Sequence, residues 1–118
     1  ALFATGYMTR LAMEAAKELE GAVSVRVINV STIKPMDLEA VRRMADGCRA
    51  VVTAEEHNVR GGLGSALAEV LCREPKPMKM VGIQDTFGCS GHNYQEVLEY
   101  HGLTKSAIAE AVREMAGI

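Results

Sequence analysis

Val51-Val52-Thr53-Ala54-Glu55-Glu56-His57-Asn58-Val59-Arg60-Gly61-Gly62-Leu63-Gly64-Ser65-Ala66-Leu67 decides how the chain folds. Its opening, Ala50–Ala54, is a short apolar run with no polar alternation, which reads as a strand buried on both faces. Glu55, Glu56 and His57 are expected just past the end of that strand. Gly61, Gly62 and Gly64 then mark a tight turn. Leu63, Leu67, Val70 and Leu71 recur at helical spacing, so the turn opens a helix. Strand, glycine turn and helix in this order form half of a parallel β-α-β unit.

The same alternation extends in both directions. Upstream, Ala1–Thr5 is an apolar strand closed by Gly6. A helix is expected from Tyr7 to Glu20, with Met8, Leu11, Ala12, Ala15 and Leu19 inward and Gly21 at its end. Val23–Val30 reads as a β-branched strand. After Pro35, Asp37 caps a second helix, with Leu38, Val41 and Met44 expected on its inner face and Gly47 at its end. Downstream, Pro75 and Pro77 break the backbone before a strand over Lys79–Ile83. Gln84–His92 is irregular. Asn93 and Glu96 suggest a capping box for a short helix to Tyr100, stopped by Gly102. Thr104 caps a last helix that buries Ile108, Val112 and Met115. The expected fold class is therefore α/β, a mainly parallel sheet covered on both faces. Only four strands are readable, so an edge strand is expected to be missing upstream of Ala1.

The chain has 118 residues, 48% of them hydrophobic and 24% charged, which fits one globular domain with a core of its own. Thirteen basic against fifteen acidic residues leave a net charge of −2. That balance argues against non-specific binding to nucleic acid or to anionic membranes. Aromatic residues are limited to Phe3, Phe87, Tyr7, Tyr94 and Tyr100, too few for base-stacking platforms. Cys48, Cys72 and Cys89 are odd in number and widely spaced, as free thiols in a cytoplasmic, reducing setting would be. No apolar run reaches the roughly 20 residues of a membrane-spanning helix. The chain opens at Ala1 without an initiator Met, and residues 1–118 are expected to be a single domain from a longer polypeptide.

In open α/β sheets, ligands bind outside the carboxyl ends of the strands. Two polar clusters are expected there, Glu55-Glu56-His57 with the Gly61–Ser65 turn, and Asp85 through His92. A helix N-terminus behind glycines favours anions. The spacing, however, is neither the phosphate-loop nor the dinucleotide pattern, and the two acids oppose a phosphate. Glycines that let the backbone pass close to a neighbour are the favoured reading of the turn over anion binding, and the acids could themselves accept its N–H groups. General acid–base or metal roles for Glu55, Glu56 and His57 with Asp85 and His92 are weakened, because adjacent strand residues point to opposite faces. Gly88-Cys89-Ser90-Gly91 is one residue short of a nucleophile elbow, and Cys89 beside His92 is the other nucleophile candidate.

Taken together, Val51-Val52-Thr53-Ala54-Glu55-Glu56-His57, Gly61-Gly62-Leu63-Gly64-Ser65-Ala66, Asp85-Thr86-Phe87-Gly88-Cys89-Ser90-Gly91, Tyr100-His101-Gly102-Leu103-Thr104 and the opening Ala4-Thr5-Gly6 resemble the C-terminal domain of transketolase. The wording is similar to the separately encoded C-terminal subunit of split transketolases. Deoxyxylulose-phosphate synthase, and more distantly the beta subunit of 2-oxo acid dehydrogenases, share the domain. The resemblance implies a three-layer α/β/α sandwich with a five-stranded sheet whose first, antiparallel strand precedes Ala1. It implies a parent enzyme that uses thiamine diphosphate and Mg²⁺ to move two-carbon ketol units between sugar phosphates, in the pentose phosphate pathway. Cofactor, metal and catalytic groups lie on the other domains of that family. No catalytic, cofactor-binding or metal residue is therefore expected here, and this domain is expected to support a homodimer or heterotetramer. Glu55, Glu56, His57, Gly61, Gly62, Gly64, Ser65 and Asp85 are the candidates for an interface or ligand rim. The readings from other classes are a free-standing anion- or nucleotide-binding module at Gly61–Ser65 and a small hydrolase using Cys89 or Ser90.

Overall fold

Residues 1–31, 35–84 and 94–118 are described by the structure, a computed structural model. The elements run β1 (Leu2–Ala4), α1 (Met8–Glu18), β2 (Val27–Asn29), α2 (Leu38–Ala45), β3 (Val51–Asn58), α3 (Leu63–Val70), β4 (Met78–Ile83), α4 (Tyr94–Tyr100) and α5 (Lys105–Ala116). The four strands form one sheet in the order β2-β1-β3-β4, and every pairing is parallel. Leu2 sits level with Val27 on one side and with Val52 on the other.

Strand side chains alternate between faces, and the helices divide accordingly. Leu2, Ala4, Val52 and Ala54 join α1 and α5 in one buried cluster, through Met8, Ala12, Ala15, Ile108 and Val112. Phe3 and Val51 join α2 and α3 in a second, through Val41, Ala45, Leu63 and Leu67. The result is the expected three-layer α/β/α arrangement. The two local caps are also in place. Asp37 Oδ1 accepts from Ala40 N at 3.0 Å, and Thr104 Oγ1 accepts from Ala107 N at 3.1 Å.

Four expectations need correction. The second strand is three residues long rather than eight, because β1 supplies partners only from Leu2 onward. Val23 and Val25 still pack against the α1–α5 cluster. The first helix ends at Glu18 with Leu19 as its cap, before Gly21. On α2, Val41 and Ala45 are buried, but Leu38 and Met44 are 47% and 37% exposed. Leu38 is the first helical residue, and Met44 lies about 100° round the helix from Ala45. Finally, β3 does not stop at Ala54. It runs to Asn58, level with Ile83 of β4, across a shift in pairing after Ala54. Glu55, Glu56 and His57 are therefore strand residues, bulged opposite Gly82 of β4 where the pairing shifts and resumed at Asn58.

Candidate functional site

The acidic pair near the end of β3 is set by alternation along the strand. Glu55 points toward α3 and is fully buried. Its Oε1 accepts from Leu63 N at 2.9 Å and its Oε2 accepts from Gly64 N at 2.9 Å. The residue preceding α3 is Gly62, which has no side chain to cap the helix. A carboxylate eight positions upstream does that work, and the partial positive charge of the helix N-terminus favours it. The fit requires glycine on two sides. A Cβ on Gly62 would collide with Glu55 Oε1 and lie 2.7 Å from the Asn58 carbonyl oxygen. A Cβ on Gly82 would lie 2.7 Å from Val59 Cγ1 and 3.0 Å from Glu55 Cγ.

Glu56 faces the opposite layer. Its Oε1 accepts from Tyr7 N at 3.1 Å, where α1 begins without a side-chain cap of its own. Adjacent carboxylates thus cap two helices on opposite faces of the sheet. The expectation that these acids accept the N–H groups of the glycine turn holds for Glu55; Glu56 accepts from the start of α1 instead. That they serve different helices could not be read from the turn alone, because the second helix starts 49 residues away.

The turn is closed internally as well. Ser65 Oγ accepts from Gly61 N at 2.9 Å and donates to the Val59 carbonyl at 3.0 Å. Arg60 N donates to Asn58 Oδ1 at 3.0 Å. The amides of Gly61, Leu63 and Gly64, which an anion would need, already have acceptors. His57 is exposed and lies at the mouth of a different feature.

That feature is a crevice of about 420 Å³ lined by Thr5, Gly6, Thr9, Asn29, Val30, Ser31 and His57. It lies at the carboxyl ends of β1, β2 and β3. The chain steps outward from β1 to β2 and then returns to place β3 on the other side of β1. Where strand order reverses in this way, the loops diverge and leave a cleft. Thr9 Oγ1 donates to Asn29 Oδ1 at 3.0 Å across it. Sequence reasoning found His57 but missed Thr5, Thr9, Asn29 and Ser31. The available signal was strand order, which would have put the ends of the first two strands beside His57. The other expected half of the rim, with Asp85, Cys89, Ser90 and His92, lies outside the described residues, as does Asn93.

Among the described residues, no three His, Cys, Asp or Glu side chains are grouped to hold a metal ion. Cys48 and Cys72 are free thiols. Among the described residues, the carboxyl whose proton affinity is clearly displaced is remote from the rim. Glu18 of α1 is held below the ordinary glutamate value by a hydrogen bond and ion pair with Lys105, and secondarily by Arg113, both on α5.

Comparison with known proteins places this geometry in context. The family model described as "Transketolase, C-terminal domain" matches residues 1–108. A 6-deoxy-6-sulfo-D-fructose transketolase subunit from Clostridium sp. (strain MSTE9) is 46% identical over 97% of this chain and 36% of its own length. A 1-deoxy-D-xylulose-5-phosphate synthase from Chlorobium luteolum is 36% identical over 96% of this chain and 18% of its own length. A solved structure described as a split gene transketolase, inactive beta4 tetramer, superimposes with a TM-score of 0.87. It is 44% identical, over 98% of this chain and 38% of that one. The chain thus spans about a third or less of the length of these relatives.

Proposed function

The chain belongs to the transketolase C-terminal domain family, and from that premise we propose that residues 1–118 are the assembly-supporting domain of a longer, two-carbon ketol transferase. The parent acts on sugar phosphates with thiamine diphosphate and Mg²⁺, and works in the cytoplasm as a homodimer or a heterotetramer. The observation that carries this reading is the fate of Glu55. The group best suited by residue type to act as a general base is buried and bonded to two α3 amides. Glu56 is likewise engaged at α1. Neither carboxylate offers a seat to the cofactor's diphosphate or its metal, so the residues described here do not fit that group and no reaction step is derived through it. Of the rim, Gly61 is exposed and Glu56, Gly62 and Ser65 are half-buried, and this turn side is the surface we assign to an interdomain or intersubunit contact. The relatives point the same way, since the transketolase subunit from Clostridium and the beta4 tetramer match this chain along only part of their length.

The test uses the whole polypeptide that carries the chain, with any partner subunit that copurifies. Thiamine-dependent ketol transfer is measured alongside assembly by analytical ultracentrifugation. Deleting residues 1–118 is expected to weaken assembly, with turnover recovering as protein concentration is raised. Unchanged assembly with abolished turnover would instead put chemistry in this domain and sink the proposal. The rival anion-binding reading gains only if inorganic phosphate binds saturably at Gly61–Ser65 and Gly62→Val removes that binding.

A further inference from the structure

The crevice at the ends of β1 and β2 goes beyond that reading, because its lining includes none of the turn residues assigned to assembly. We propose that it binds a small, uncharged, polyhydroxylated ligand. Several polar groups converge on it. Thr5, Asn29, Ser31 and His57 all line it, and the hydroxyls of Thr5 and Ser31, the Asn29 amide nitrogen and the His57 imidazole have no hydrogen-bond partner among the described residues. The Thr9 hydroxyl holds Asn29 Oδ1 at 3.0 Å. That bond fixes the amide so that its two N–H donors remain for a ligand. The crevice therefore offers hydroxyls that both donate and accept, an amide that donates, and an imidazole that can do either. This is the complement of a ligand bearing several hydroxyl groups.

Charge selects against the alternatives. Among the described residues, no Lys or Arg lines the crevice. The N-terminus of α1, which would otherwise attract an anion here, already has the Glu56 carboxylate on Tyr7 N at 3.1 Å. An anionic ligand would meet that carboxylate with no cation among the described lining residues to offset it. A metal cation finds no carboxylate among them either. Position supports a ligand on separate grounds, because the reversal of strand order is where open α/β sheets leave a cleft for one.

The probe is xylitol, with inorganic phosphate as the charged control, applied to the whole polypeptide. Diethyl pyrocarbonate acylates exposed imidazoles, and peptide mass mapping separates His57 from the other reactive histidines of the polypeptide. Xylitol is expected to slow acylation of His57 saturably and to leave the others unchanged. Phosphate is expected to leave His57 unprotected. Thr9→Val frees Asn29 to turn and should raise the half-protecting xylitol concentration about five-fold, the loss of one hydrogen bond. Ser31→Ala, at an exposed position, should act in the same direction and serves if Thr9→Val fails to fold. Equal slowing at every reactive histidine would reveal general exclusion by the polyol rather than a site. That result, protection by phosphate, absence of protection, or indifference to both variants would each overturn the proposal.

Discussion

The two faces of the sheet are built by different means. On one, α1 and α5 press against β1 and β3 through Ala12, Ala15, Ala109 and Ala111, small residues that let backbones approach closely. Glu18, Lys105 and Arg113 then tie the helices together at the surface. On the other, α2 and α3 cover Phe3 and Val51 with leucines and valines. Here Glu55 is fully buried, and Thr53 has a fully buried hydroxyl with no hydrogen-bond partner. The first face gains its stability from packing that tolerates local change. The second depends on one polar contact that cannot be replaced piecemeal, because a buried donor left without its acceptor costs more than the bond contributes.

Substitutions can break or sharpen this contrast. The largest effect is expected from Glu55→Ala, which strands the Leu63 and Gly64 amides and leaves a cavity. It should cost about 4 kcal/mol in urea unfolding. A cost near that of an ordinary exposed cap would mean that water replaces the carboxylate. Gly62→Ala pushes a methyl group onto the same carboxylate and should cost about 2 kcal/mol by the same measurement. Glu56→Ala removes the matching cap on α1, where the site is only partly buried, and should cost about 1 kcal/mol. If Glu55→Ala and Glu56→Ala proved equal, the proposed asymmetry of the faces would be wrong. Thr53→Val replaces the orphaned hydroxyl with a methyl group of the same shape and should raise stability by about 1 kcal/mol.

The smallest effect concerns the exposed ionic tie. Because Lys105, and secondarily Arg113, hold the Glu18 carboxyl below its ordinary value, the unfolded chain binds that proton more readily than the folded one. The contribution is complete above the ordinary glutamate value. It fades as pH falls from there through the lowered folded value, and is absent below it. Glu18→Gln should therefore flatten stability in that acid range and leave the alkaline range alone, as denaturant midpoints across pH would show.

What could be read from the sequence follows the distance over which each contact acts. The caps at Asp37 and Thr104 reach three residues ahead, so composition alone reveals them. The glycine turn was legible for the same reason. Glu55 reaches eight residues and only because β3 continues past Ala54, which depends on β4 lying beside it. Leu38 and Met44 misled because helical periodicity fixes direction around the axis but says nothing of where the sheet ends. Thr9 and Asn29 meet only through the pairing of β1 with β2, twenty residues apart along the chain.

The placement of the two acids has a consequence for how the chain finds its native pairing. Val51, Val52, Thr53 and Ala54 are all buried, so nothing in their polarity tells a folding strand which side belongs to which layer. A slip of one position would exchange the faces at little hydrophobic loss. Glu55 and Glu56 supply the missing information. The native frame delivers Glu55 to the amides of α3 and Glu56 to the first turn of α1, and such a slip would exchange the two. The central strand therefore carries its own alignment mark, checked simultaneously from both sides as the helices dock.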